Sequence, residues 1–222
     1  MGQGRNLTAE IKKNHKHSHI ILASHAGFCF GVDRAVDTVF DIANNPEEGR
    51  KVVTLGEIIH NNTIIKALEK CGVTVEDDYE KIPLNATVVI RAHGVPECVY
   101  KHFDEQGINY IDATCPFVAK IHRKVSEVDP GNSVILIAGN ANHPEVIGIR
   151  GFCKAPAYIF SSAEELRDIL ETNVDSFSSK EIFVVSQTTF SLKEWEKCVK
   201  ILNLLCTNPT IFDTICKATE ER

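Results

Sequence analysis

Short runs of β-branched and apolar residues alternate along this chain with stretches patterned as helices, and that alternation limits the fold more than any other feature. Residues 20–23, 51–55, 87–90, 110–111, 133–138, 157–160, 181–185 and 210–212 read as strands, each bounded by turn residues. Between them lie helices with legible starts. Ser162-Ala-Glu-Glu165 and Ser191-Leu-Lys-Glu194 both fit a capping box, a hydroxyl and a carboxylate three positions apart. The second leads into Leu192, Trp195, Val199, Leu202 and Leu205, one apolar face at helical spacing, with Cys198 and Cys206 on or near it as core thiols. Strand–helix alternation of this kind predicts an α/β fold with mainly parallel sheets, and such folds collect ligands where strands end and helices begin.

The alternation also repeats. One unit runs from Val52 through Gly56-Glu-Ile-Ile-His-Asn61 and Arg91-Ala-His-Gly94 to Tyr110-Ile-Asp-Ala-Thr-Cys115. A second runs from Val134 through Asn142-His-Pro-Glu145 and Ser186-Gln-Thr-Thr189 to Ile211-Phe-Asp-Thr-Ile-Cys216. Each ends in an apolar residue, Asp, two further residues and Cys, and each sets a polar turn after two of its strands. The repeat pairs His60 with His143 and His93 with Thr188. A third cysteine, Cys29, follows the strand at 20–23 in Ser24-His-Ala-Gly-Phe-Cys-Phe-Gly-Val-Asp33. Three such cysteines converge if the units pack about a pseudo-threefold axis, although the second half of a third unit is missing after Cys216.

Composition narrows the chemistry. The 222 residues are 43% hydrophobic and 24% charged, ordinary globular usage, so extensive disorder is excluded. A net charge of −6 argues against a nucleic-acid partner, whose phosphates need clustered Lys and Arg. No apolar stretch approaches the roughly 18 residues of a membrane-spanning helix. Residues 1–18 lack the apolar segment of a secretory signal, and Asn6 breaks the myristoylation pattern. His15, His17 and His19 belong to that solvated tail. A cytoplasmic protein with functional thiols is expected.

Eight cysteines are too few for a disulfide-stapled scaffold. Disulfides are disfavoured in a reducing compartment, and structural zinc uses close pairs such as Cys-x-x-Cys, which this chain lacks. Three distant thiols leave a catalytic zinc, an iron–sulfur cluster with one open iron, or unrelated core cysteines. The polar turns add weight to a ligand site. His60, His93 and His143 each follow a predicted strand, where helix N-termini favour phosphate. Glu145 lies two residues past His143, placed to supply a proton, and Thr188 precedes the helix capped by Ser191. His102 and His122 fall inside predicted helices and read as structural or solvated.

These residues resemble a known family. Gly27-Phe-Cys-Phe-Gly-Val-Asp-Arg34, Leu55-Gly-Glu-Ile-Ile-His-Asn61, Arg91-Ala-His-Gly-Val95, Asp112-Ala-Thr-Cys-Pro116, His143-Pro-Glu145, Gln187-Thr-Thr189 and Asp213-Thr-Ile-Cys-Lys-Ala-Thr219 are similar, in order, to motifs of the 4-hydroxy-3-methylbut-2-enyl diphosphate reductases, the IspH/LytB family of the methylerythritol phosphate route to isoprenoids. The resemblance implies three similar α/β domains around a central [4Fe–4S] cluster. Cys29, Cys115 and Cys216 would be its ligands; His60, His93 and His143 would contact the diphosphate and hydroxyl groups. Glu145 would be the proton donor, with Thr188 a substrate contact beside it. The implied reaction is reductive dehydroxylation to isopentenyl or dimethylallyl diphosphate, with electrons from a donor such as ferredoxin or flavodoxin and no membrane or nucleic-acid partner.

On this reading residues 1–19 are a polar tail. Residues 20–33 form a strand and the first cluster cysteine, 34–115 a first α/β domain, 116–212 a second, and 213–222 the start of a third. Family chains continue past Cys-Lys-Ala-Thr into that third domain, which adds a Ser-x-Asn stretch and a later Ser to the phosphate site. A chain without it is expected to be weakly active or inactive, with an exposed sheet edge. Two rival readings are a zinc-dependent hydrolase with Glu145 as base and a non-catalytic remnant.

Overall fold

The computed structural model of the chain describes residues 27–219, so the strand expected at 20–23 and the histidines of the tail lie outside the described residues. Its elements alternate between helix and strand. They run α1 (Phe30–Asn44), β1 (Lys51–Leu55), α2 (Asn62–Lys70), β2 (Thr74–Glu76), β3 (Ala86–Ile90), α3 (Glu97–Gln106), β4 (Asn109–Asp112) and α4 (Pro116–Ser126). There follow β5 (Ser133–Ala138), α5 (Pro144–Phe152), β6 (Ala157–Phe160), α6 (Ala163–Thr172), α7 (Val174–Phe177), β7 (Glu181–Ser186), α8 (Leu192–Leu205) and β8 (Thr210–Ile211). Short 3₁₀ turns occupy Tyr79–Lys81 and Lys217–Thr219. No described helix is long and apolar enough to cross a membrane.

Among the described residues the strands form two four-stranded sheets in the orders β2-β1-β3-β4 and β6-β5-β7-β8, with every pair parallel. The second order is the first with four added to each strand, so the repeat seen in the sequence is a repeat of topology. Sequence patterning finds the buried strands and misses β2, a three-residue edge strand whose one apolar side chain, Val75, is 40% exposed.

Central strands are covered on both faces, as parallel sheets require. Val52 and Val89 face a core shared with Ala35, Val36 and Val39 of α1, while Val53, Val88 and Ile90 face Val99 and Phe103 of α3. In the second sheet Leu136 and Val184 pack with Leu166, Trp195 and Leu202, and Ile135 and Ile137 pack with Ile121, Val125 and Ile149. The α8 face is shorter than its apolar spacing implies, because Leu192 and Leu205 at its two ends are exposed. Cys198 is fully buried and Cys206 packs against the same core.

The two capping boxes form only in half. Ser162 accepts from the Glu165 N–H and Ser191 from the Glu194 N–H. The reciprocal carboxylates go elsewhere: Glu165 accepts from Ser161, and Glu194 reaches the Ala163 N–H at the start of α6 at 2.8 Å. A free N–H on a neighbouring helix outcompetes the local one, which ties α8 to α6.

Candidate active site at the carboxyl edges of the sheets

In each sheet the two central strands send their connections to opposite sides, which opens a crevice at their carboxyl ends. Both crevices are lined by polar turns. After β1 the chain passes His60 to Asn61, whose side chain caps α2 by accepting from Thr63 and Ile64. After β3 it passes His93 to Gly94, held at φ +72°. After β5, His143 is the N-cap of α5, with Pro144 in the first helical turn where its missing N–H costs nothing.

These turns bring three imidazoles together. Ring centroids lie 5.0 Å apart for His60–His93, 5.4 Å for His93–His143 and 6.5 Å for His60–His143. Their nitrogens fall within 4.8 Å of one another, close enough to share one phosphate group or one divalent cation. Burial, then the neighbouring His143 and His60, hold His93 down to about 4. His143 is lowered by the same causes, burial first, with His60 and Arg91 adding to it. His93 and His143 are therefore neutral at neutral pH, and each keeps an N–H to donate. Nδ1 of His143 accepts from the Glu145 N–H at 3.2 Å, which assigns the proton to Nε2, the nitrogen left free to donate.

Glu145 is 2% exposed. Its carboxylate accepts the Thr188 backbone N–H at 2.6 Å on one oxygen and the Thr188 hydroxyl at 2.8 Å on the other. Burial raises its pKa and the two Thr188 bonds oppose that rise without cancelling it. A carboxyl group held in one orientation with a raised pKa is suited to carry a proton. Thr188 is joined in turn to Cys216, whose N–H donates to the Thr188 carbonyl at 2.7 Å. Cys115 makes the corresponding bond to Ala92 at 2.9 Å. Thr188 is thus equivalent to Ala92, and His93 to Thr189, one position away from the pairing read in the sequence.

Of the three cysteines expected at the centre, Cys115 lies within electrostatic reach of both Cys29 and Cys216. Cys29 is the N-cap of α1 and Cys115 the N-cap of α4. Burial first, then the charges of Cys216 and Cys29, raise the Cys115 thiol, against opposing bonds from the Phe117 and Val118 N–H groups. Gly31 leaves the space that Cys115 fills: a Cβ there would stand 2.5 Å from its Sγ. Cys29 and Cys216 line a cleft of about 950 Å³ with Phe28, Phe117, Lys124 and Phe212. The other cysteines lie apart from this triangle. Cys71 and Cys98 are exposed, and Cys153 bonds its own helix at Ile149.

This geometry has counterparts among known proteins. A profile of the family described as LytB protein matches residues 20–222. The chain belongs to the LytB family. A 4-hydroxy-3-methylbut-2-enyl diphosphate reductase of Caldanaerobacter subterraneus subsp. tengcongensis is 40% identical over 205 residues, which are 91% of this chain and 68% of that protein. One from Clostridium acetobutylicum is also 40% identical, but the match covers only 30% of its length. Among solved structures, an (E)-4-hydroxy-3-methyl-but-2-enyl diphosphate reductase matches with a TM-score of 0.75 at 35% identity, covering 91% of this chain and 70% of that one. The reductase from Plasmodium falciparum matches with a TM-score of 0.78 at 28% identity, covering 89% and 60%. This LytB-family chain shares their α/β architecture.

Sequence reading gave no role to two arginines at the site. Arg34 donates to the carbonyl of Thr114, just before Cys115. Arg91 lies across Gly56, where a Cβ would meet its guanidinium. His122, read as structural or solvated, has the structural place: it is buried, stacks on Phe152 at 4.4 Å, and packs where a Cβ on Gly94 would stand. The glycines at 56 and 94 were the available signal for Arg91 and His122, since each permits one of these close approaches.

Proposed function

We propose that this chain works as a 4-hydroxy-3-methylbut-2-enyl diphosphate reductase of isoprenoid biosynthesis. The substrate takes up two electrons and two protons, loses its hydroxyl group as water, and becomes isopentenyl or dimethylallyl diphosphate. The observation that carries this reading is the buried Glu145 carboxyl, held by Thr188 beside three converging imidazoles, in a chain of the LytB family.

Cys29, Cys115 and Cys216 are the residues that would hold a [4Fe–4S] cluster. Cys115, whose thiolate is disfavoured by burial and by the neighbouring Cys216 and Cys29, suits a cationic iron centre beside it, and a donor set of three thiolates leaves one iron open. When bound, that group supplies the electrons and a Lewis-acid site for loss of the hydroxyl. The protein does the rest. His60, His93 and His143 donate N–H groups to the diphosphate, with the N-termini of α2 and α5 adding positive dipole ends. Thr188 fixes Glu145 and contacts the substrate beside it. Glu145, whose burial raises its pKa, delivers a proton to the reacting end. A one-electron carrier such as ferredoxin or flavodoxin is the source of electrons, and the cytoplasm is the compartment.

Stoichiometric incubation under anaerobic conditions tests this reading. Iron- and sulfide-reconstituted protein is mixed with substrate and a reduced viologen dye, and products are separated by chromatography. Isopentenyl and dimethylallyl diphosphate are expected, at a rate that Glu145→Gln lowers by about 100-fold or more. Release of inorganic phosphate from a zinc-loaded chain, with neither product formed, would overturn it in favour of a hydrolase.

A further inference from the structure

The N-terminal turn of α1 is pressed directly onto Cys115. Gly31 is buried there, and a Cβ on it would lie 2.5 Å from Sγ and 3.2 Å from Cβ of Cys115. One turn further along the same helix, Nη2 of Arg34 donates to the carbonyl of Thr114, a residue 80 positions away in the chain. A charged donor on a carbonyl is among the stronger protein hydrogen bonds. Its Nε is buried with no partner among the described residues, a cost that marks the guanidinium as held in place by its surroundings.

The far side of Cys115 is fixed independently. Its own N–H donates to Ala92 at 2.9 Å. The Thr114 N–H donates to Asp112 at 2.9 Å, and the Tyr100 hydroxyl lies 3.2 Å from Asp112 and 3.4 Å from Thr114. Those bonds anchor Cys115 to the first sheet, whereas Arg34 anchors it to the helix that begins at Cys29. Arg34 is therefore a polar tie between the segments that carry two of the three thiols.

We propose that Arg34 is a positioning residue that sets the separation of Cys29 and Cys115, with Gly31 supplying the room. The inference rests on reading these thiols as cluster ligands, and it deepens that reading by naming what holds two of them in register. Residues behind the ligands commonly govern metal-site assembly in this way. Arginine suits the task better than lysine, because its planar fork is preorganised and less entropy is lost per bond.

Two measurements on wild type, Arg34→Met, Arg34→Lys and Gly31→Ala test it. The first is the rate of iodoacetamide labelling at each cysteine of the metal-free chain, read by peptide mass spectrometry. The second is iron and acid-labile sulfide per chain after anaerobic reconstitution. R34M is expected to speed Cys115 labelling about tenfold, the value of one charged hydrogen bond. Cys198 and Cys153 should stay unchanged, and bound iron and sulfide should fall. R34K should recover part of both effects. If R34M does not fold, R34K carries the test of Arg34 by the same labelling ratio, and G31A reports separately on the room that Gly31 supplies. A merely structural Arg34 would lower the melting temperature and leave the labelling of Cys115 relative to Cys198 unchanged, and that result overturns the proposal. A wild-type chain that takes up no iron and sulfide would instead sink the cluster reading, and the labelling ratio would still decide whether Arg34 positions Cys115.

Discussion

His93 is the middle member of the imidazole group, within 5.4 Å of both partners by ring centroid. Burial and its neighbours hold it near 4, so it is neutral at pH 7. A bound diphosphate reverses the electrostatics, because it favours the protonated imidazole that burial and the neighbouring groups disfavour. Affinity for inorganic pyrophosphate should therefore rise as pH falls from about 8 to about 6, with proton uptake on binding. Calorimetric titrations across that range should show a shallower slope in His93→Asn, and an unchanged slope would contradict the role given to His93. At this scale the sequence exposes residues and hides registers. His60, His143 and Glu145 are legible because each sits in a short polar turn after an apolar run. The equivalence of Thr188 with Ala92 is not legible, since it depends on the bonds that Cys216 and Cys115 make to neighbouring strands. Arg34 could not be assigned either, because its partner Thr114 is 80 residues away.

Among the elements, the seam between the two sheets is built by α4 and α5 through small residues. Gly94 combines a positive φ with a neighbour in contact: a Cβ there would lie 2.6 Å from Cε1 of His122. Gly107 has a similar φ of +65° but nothing within 4 Å. Gly107→Ala should cost about 1 kcal/mol from backbone strain alone. Gly94→Ala should cost about 3 kcal/mol, because overpacking against a buried ring adds to it. Urea unfolding of the two variants gives the comparison, and equal losses would show that the His122 contact does not matter. His122 also makes stability depend on pH. Burial lowers it to about 4 in the folded chain, against 6.5 for a free imidazole. The unfolded chain takes up the proton first, so the His122 contribution is complete above pH 6.5 and is lost as pH falls towards 4. That loss is on the order of 3 kcal/mol. His122→Phe should flatten this part of the stability profile while keeping the ring stacked on Phe152. A helical pattern alone could place His122 on α4 but not decide that it faces a seam, because burial between two units is a tertiary fact.

For the whole molecule, duplication explains why the site lies where it does. Two sheets with the same strand order present the same edge, so each delivers a His-bearing turn after its first strand and a cysteine after its last: Cys115 beyond β4 and Cys216 beyond β8. Cys29 arrives from a third direction, at the start of α1. Nothing local in the sequence shows that these positions meet. Their meeting follows from parallel pairing, which sends all strands of a sheet towards one edge. The chain spans 68% of the length of the Caldanaerobacter reductase, so the shared architecture concerns these two sheets and the segments that join them. The most direct measurement is therefore iron and acid-labile sulfide per chain after anaerobic reconstitution, for wild type and for single Cys→Ser variants at 29, 115 and 216, with the exposed Cys71 and Cys98 as controls. The account predicts about four iron atoms and matching sulfide in wild type and both controls, and a large loss in each of the three variants. A wild-type chain that binds zinc without sulfide, or a cluster that survives all three substitutions, would contradict it.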